Sequence, residues 1–262
     1  MAGTKYAVVY AYAVRDQLRY LGSFAARNLF FVVVLFVFTA LWRAVFAGAA
    51  LVAGLSMVQT LWYLTFTETV ELCKSRVHLE IQDEVKDGSI AYRLARPCSY
   101  VLVRVAGAMG EATAKTLPIL AVGFAAASLL VGPLPGYLRA LPFGLILIAG
   151  GLLLTTLWLL VFGLLAFWVE EVSPFYWIYQ KLVFVLGGMF FPIDFFPGWL
   201  RGIAARLPFA YAAYWPARIM VRFDAGEFLA ALAGQAIYAA VMLAAAFSLF
   251  AVARRRVHAH GG

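Results

Sequence analysis

Six apolar blocks, separated by short polar segments, set the architecture of this chain. A helix needs about 20 mostly apolar residues to cross a bilayer core. Residues 28–42 carry no charge, and Arg27 and Arg43 at the flanks have stems long enough to reach the interface. Residues 44–67 form the second block. Residues 105–131 form the third and contain Glu111, Lys115 and the kink-prone Pro118. Residues 141–169 are the cleanest block, 175–191 are short with Lys181 near their start, and 228–253 are the last. No block shows the alternation, in segments of about ten residues, of a membrane barrel strand. The pattern predicts an all-α polytopic membrane protein with six transmembrane helices over residues 28–253, a segment 1–27 before them and a tail 254–262 after them.

Three polar segments have their own character. In residues 4–21, Tyr6, Val9, Tyr10, Ala13 and Leu21 share one helical face, with Arg15, Asp16 and Arg19 elsewhere. That pattern predicts an amphipathic helix lying at the membrane interface, with Gly22 and Ser23 allowing a bend into the first span. Residues 71–104 hold 11 of the 34 charged residues and must lie outside the bilayer. Residues 192–226 combine Pro192, Pro197, Pro208 and Pro216 with Trp199, Tyr211, Tyr214 and Trp215. Prolines break helices and Trp and Tyr favour the interface, so this segment is expected to form short, partly re-entrant helices capping the outer side.

Composition agrees. The chain is 65% hydrophobic and 13% charged, against roughly 45–50% and about 25% for soluble domains. Its net charge of +8 comes from basic residues at span ends, which points to anionic lipid headgroups and away from nucleic acid. With both termini inside, 14 of the 21 Lys and Arg residues fall on inner segments and six on outer ones, as the positive-inside rule requires. Four of those six lie in the outer segment after span five, the main tension in this orientation. Cys73 and Cys98 both fall in the charged segment, placed in the cytoplasm, so no disulfide is expected. Arg15 and Asp16 follow the apolar run 6–14 without a small-residue cleavage site, so it does not read as a secretory signal.

Few residues offer chemistry. Glu111 and Lys115 are four apart and share a helix face; they read as a structural ion pair or as lining of a substrate path. Residues 110–116 superficially look like a phosphate loop, but Ala114 and Met109 stand where that motif needs glycines. Glu68 with Glu71, and Glu170 with Glu171, read as solvated helix ends. His78, His258 and His260 lie outside every block, which argues against a membrane metalloprotease. No metal or cofactor site is expected in this chain.

The charged segment has internal grammar. Residues 71–87 can continue the second span as a helix, and Gly88 is a plausible stop. Ser89 is a good N-cap for a short helix over residues 89–96, with Ile90, Ala91, Leu94 and Ala95 as an apolar stripe beside Arg93 and Arg96. Pro97 ends it. Such a helix suits docking into a groove on a soluble protein; a loop lying on headgroups is the alternative.

Two blocks carry a family resemblance. One is Glu84-x-x-x-Gly88-Ser89-Ile90-x-x-x-Leu94-x-x-Pro97. The other is Phe190-Phe191-Pro192-Ile193-Asp194-Phe195-Phe196-Pro197-Gly198-Trp199-Leu200, followed by Leu207-Pro208-Phe209-Ala210-Tyr211 and Pro216-Ala217-Arg218. In this order within a six-span chain, the sequence resembles the bacterial type-2 ABC exporter permeases over nearly its whole length. Arg96 directly before Pro97 is more basic than in many relatives. The resemblance implies a bacterial inner-membrane permease that pairs with a second permease chain, identical or related. Two separate ATP-binding subunits would hold ATP and Mg, and this chain would not be an enzyme. It further implies that Glu84, Gly88, Ser89, Ile90, Arg93, Leu94, Arg96 and Pro97 form the coupling segment, with Ile90 and Leu94 in the ATPase groove. Pro192, Trp199, Tyr211 and Trp215 would form an outer gate for an amphipathic or hydrophobic substrate such as a drug or lipid. An ion-coupled carrier and a membrane-embedded enzyme are the competing readings.

Overall fold

The structure, a computed structural model, describes residues 2–19 and 21–259. Its helices are α1 (Ala2–Arg19), α2 (Leu21–Val45), α3 (Met57–Cys73), α4 (Val77–Lys86), α5 (Ile90–Leu94), α6 (Tyr100–Val131), α7 (Tyr137–Leu164), α8 (Ser173–Val185), α9 (Gly198–Ala204), α10 (Pro208–Ala212), α11 (Tyr214–Val221) and α12 (Ala225–Ala259). Among the described residues, four stretches are long and apolar enough to cross a membrane: Ala25–Val45, Tyr100–Val131, Tyr137–Phe167 and Ala225–Arg255. α6 and α7 pack together at the centre. α1, α2 and α3 cover α6, whereas α4, α11 and α12 cover α7, and α11 wedges between α7 and α3.

Several predicted boundaries move. The block 44–67 is not one helix. Its first part is an irregular loop with Gly48 and Gly54 at φ +87° and +81° and a single bridge between Val52 and Leu55. α3 begins only at Met57, where Ser56 and Gln59 form a reciprocal capping box. Residues 71–87 do not continue it, because the backbone turns extended at Lys74 before α4 starts. α8 ends at Val185, short of the predicted 191, at a turn with Gly188 at φ +70°. The tail is not separate, since α12 runs on to Ala259; His260 lies outside the described residues. Pro118 sits inside α6 without ending it. Gly22 and Ser23 fall in the first turn of α2, so they are helical and not a bend.

Residues 186–224, irregular or in short helices, pack deep against α7, and small residues make room for them. A Cβ on Gly151 would stand 2.5 Å from the Ala212 carbonyl oxygen. Gly123 on α6 meets Phe31 of α2 and Thr65 of α3, each 2.8 Å from a would-be Cβ. Gly163 admits α4, with His78 Cα at 3.0 Å, and Gly110 admits α1, with the Tyr10 carbonyl at 2.5 Å. Close helix approach through small residues is how membrane helices pack when water supplies no hydrophobic drive. α1 therefore lies along α6 through the predicted face of Tyr6, Val9, Tyr10 and Ala13.

Because the atom facing Gly151 is backbone, it cannot move aside as a side chain would. Gly151→Val is expected to destabilise the protein by about 1–3 kcal/mol, read as earlier thermal aggregation in detergent. Gly198→Ala, whose Cβ meets nothing within 4 Å, is expected to melt like the parent; equal melting of both variants would contradict the packing.

Candidate functional site

The charged segment folds into an elbow made of α4, α5 and the start of α6. Glu84 on α4 is its joint. Its carboxylate is 7% exposed, pairs with Arg93 of α5 and Arg104 of α6, and accepts a 2.9 Å hydrogen bond from the Tyr100 hydroxyl. Arg104 also reaches Glu80 at 3.1 Å. A buried carboxylate is tolerable only when so paired, and removing one partner of such a group costs several kcal/mol. The turn between α4 and α5 uses Gly88 at φ +76°, the left-handed region where glycine is cheapest. Asp87 accepts the Ser89 amide at 2.8 Å, and hydrogen bonds from Ser89 hold the Asp87 carboxyl below its usual range.

This elbow differs from the expected one in three ways. Ser89 has helical dihedrals and makes no side-chain cap, so Asp87 does the capping. The helix is shorter, covering Ile90–Leu94. The apolar stripe is split: Ile90 is 3% exposed, and Ile90 and half-buried Leu94 pack with Val77, Ile81, Val101 and Leu160, whereas Ala91 and Ala95 are exposed. Outside with these two alanines are Tyr92, 71% exposed, and Arg93, Arg96 and Pro97. Arg96 lies over the Tyr92 ring at 5.2 Å, while Lys5 of α1 donates to the Pro97 carbonyl at 2.6 Å. Tyr92 is the residue that sequence reasoning missed. An aromatic directly before Arg93 and one helical turn before Arg96 was its signal.

The elbow is tied to the start of α8. Gln82 accepts the Val172 amide at 2.7 Å, and Lys86 reaches Glu171 at 3.4 Å. Glu171 is exposed, as expected; hydrogen bonds from Ser173 and the nearby Lys86 lower its carboxyl to about 2. His78 stacks on Tyr176 of α8 at 4.7 Å and is 4% exposed. Burial, with Lys74 and Arg76 nearby, depresses the imidazole to about 4. Cys73 is buried and Cys98 half-buried, both as free thiols.

Glu111 and Lys115 do pair, and the Lys115 amine also approaches the Lys74 carbonyl at 3.4 Å. Glu71 pairs with Lys74 and accepts from Gln180 at 2.9 Å. Glu68 is not a solvated helix end, being 5% exposed. On the other side of the molecule the four gate residues do not converge. Tyr211 and Trp215 pack together and, with Tyr238, against α12, whereas Pro192 is buried elsewhere and Trp199 is 71% exposed on α9. An unexpected ionic knot stands beside them. Arg218 forks onto Glu227 with two 2.8 Å hydrogen bonds and pairs with Asp194, which accepts the Tyr214 hydroxyl at 3.1 Å. Among the described residues no group of acids, histidines and cysteines is arranged to hold a metal ion.

Two outcomes test these contacts. Glu111→Gln alone strands a buried lysine charge and is expected to cost about 3–5 kcal/mol, whereas Glu111→Gln with Lys115→Met is expected to express and melt closer to the parent. For His78, the folded value lies below the ordinary 6.5, so the neutral ring is the stable form in the fold. That stability is present above about pH 6.5 and is lost as pH falls toward 4. His78→Phe keeps the stack and is expected to flatten the loss of thermal stability across this window; an unchanged pH profile would exclude His78 as its source.

The elbow, the buried ion pairs and the deep proline-broken segment belong to a helical membrane protein. A family model described as "ABC-2 family transporter protein" matches residues 26–261. No match to a curated protein or to a solved structure was found. With the match spanning all but the first 25 residues and the last one, the chain belongs to the ABC-2 family of membrane transporter proteins.

Proposed function

We propose that the chain is the permease subunit of an ABC exporter, driven through its elbow by ATP-binding subunits that are separate chains. The single observation that carries this is the elbow: a small outward surface, Tyr92 with Arg93 and Arg96, on a helix locked to α4 and α6 by Glu84. A force applied to α5 is therefore transmitted and not absorbed. The sequence has no phosphate loop of its own, so ATP and Mg would be held by two partner subunits.

In this reading the termini are cytoplasmic and the chain sits in a bacterial inner membrane with six crossings. α3 and α8 supply the two crossings beyond the four long helices. At about 1.5 Å per residue, the 17 residues of α3 rise about 26 Å and the 13 of α8 about 20 Å. The segment from Gly187 to Ala213 completes the latter crossing, and α10 and α11 form the re-entrant part beside the middle of α7. Two such chains, identical or related, would enclose the path of an amphipathic or hydrophobic substrate. Tyr211 and Trp215 close its outer end, and membrane lipids surround it.

Copurification of the chain with its candidate ATPase, and ATP-dependent efflux, test the proposal. Tyr92→Asp is expected to leave insertion intact and weaken copurification at least about tenfold, since exposed aromatic anchors at interfaces are worth about 2 kcal/mol or more. Ile90→Asp is expected to lower the yield of folded protein instead. Efflux that survives ATP depletion but not loss of the ion gradient would replace this reading with an ion-coupled carrier, and substrate turnover without ATP would replace it with an enzyme.

A further inference from the structure

A cleft of about 400 Å³ opens between α2, the inner end of α3 and α8, within the size range of ligand pockets, roughly 300–1,000 Å³. One wall is aromatic. Phe38 stacks on Phe190 at 5.8 Å, and Phe190 meets Phe184 at 4.7 Å. At the charged end of the cleft, Arg27 donates to the Leu72 carbonyl at 3.0 Å. Lys74 is held by Glu71 and lies over the Tyr176 ring at 4.8 Å. Arg76 is exposed at the rim. Glu68 differs from all of these. It lines the same cleft, with 5% of its surface exposed, and makes no hydrogen bond or ion pair of its own among the described residues, its charged neighbours being Glu71 and Lys74.

A carboxyl group taken out of water without a partner is costly, and native proteins retain such groups mostly where a ligand or a function uses them. The surroundings specify which ligand. Glu71 is committed to Lys74 and Gln180, so Glu68 is the free acceptor. The rings above it suit a cation's apolar body, and one already faces a cation, with Lys181 at 5.6 Å from the Phe184 ring. We infer that this cleft binds amphipathic organic amines in their ammonium form, with Glu68 receiving the ammonium group and Phe38, Phe184 and Phe190 receiving the apolar part. This rests on the permease reading and names the substrate class of that path.

The test is equilibrium binding to the whole purified chain in lipid nanodiscs, followed by fluorescence. The probes are N-dansyl-1,5-diaminopentane and its N-acetyl derivative, which has nearly the same shape but no charge. The amine is expected to bind about tenfold more tightly than the acetylated probe. Glu68→Gln is expected to lower amine binding to the acetylated level while leaving the acetylated probe unchanged. Equal binding of the two probes to the parent chain overturns the inference, and so does an amine preference that survives Glu68→Gln. Tighter binding of a dansyl probe ending in a carboxylate also overturns it, by assigning the cleft to Arg27 and Arg76. If Glu68→Gln fails to fold, the probe comparison on the parent chain still decides. No ATP or partner enters the assay, so loss of ATPase copurification and loss of amine selectivity are separate failures.

Discussion

Backbone carbonyls that lose their helical partners must find new ones where water is scarce, and the organisation of this protein follows from that constraint. The ladder stops at Val185 and resumes fully only at Ala225. Between these points side chains of other helices take over. Tyr63 of α3 donates to the Gly188 carbonyl, and Thr67, one turn on, donates to Met189 at 3.0 Å. Gln235 of α12 donates to Tyr211 and to Leu147 at 2.9 and 2.8 Å, and Tyr238 donates to Arg206 at 2.7 Å. α3 is polar on one side for this reason. Its other threonines close onto carbonyls four residues back, so the helix carries hydroxyls through an apolar interior without leaving them unpaired.

The same economy makes the elbow rigid. A short helix of five residues has little stability of its own. α5 persists because Ile90 is buried and because Glu84 bridges it to α6 through Arg93 and Arg104. α4 is in turn pressed onto α7 at Gly163 and tied to the start of α8 through Gln82 and Lys86. α5 is thus joined to three long elements at once. Displacing it requires moving the adjoining ends of α6, α7 and α8 together, which is what the proposed coupling would need.

Much of this was legible in the sequence. The apolar blocks located every long helix, and Gly88 and Pro97 bracketed the short one. The failures have distinct physical causes. Residues 46–55 are as apolar as a span, and hydropathy does not separate an apolar loop from a helix; the capping pair Ser56 and Gln59 was the signal for the true start. The stripe of Ile90 and Leu94 was visible, but an amphipathic face does not say whether its own protein or a partner covers it. That was settled by the Glu84 joint, which pulls α5 down onto α4 and α6. The knot of Asp194, Arg218 and Glu227 joins residues 24 and 9 positions apart with no periodicity relating them. Glu68 was read as solvated because it follows the apolar block at the end of a span; residues of α2 and α8 close around that end and bury it, which one helix's own sequence does not reveal.

The knot does not change the charge count that sets orientation. A basic cluster in the segment after α8 stood against placing that segment outside. Arg218 is not a free charge in the fold, because it is forked onto Glu227 and paired with Asp194, giving the group a net charge of −1. The positive-inside rule counts Lys and Arg and gives Asp and Glu little weight, so this pairing belongs to the folded state, and Arg201, Arg206, Arg218 and Arg222 all still stand against the proposed topology. The paired arginine instead fastens α11 to the start of α12 and to the 3₁₀ turn at Asp194. This holds Tyr211 and Trp215 against α12, beside the middle of α7.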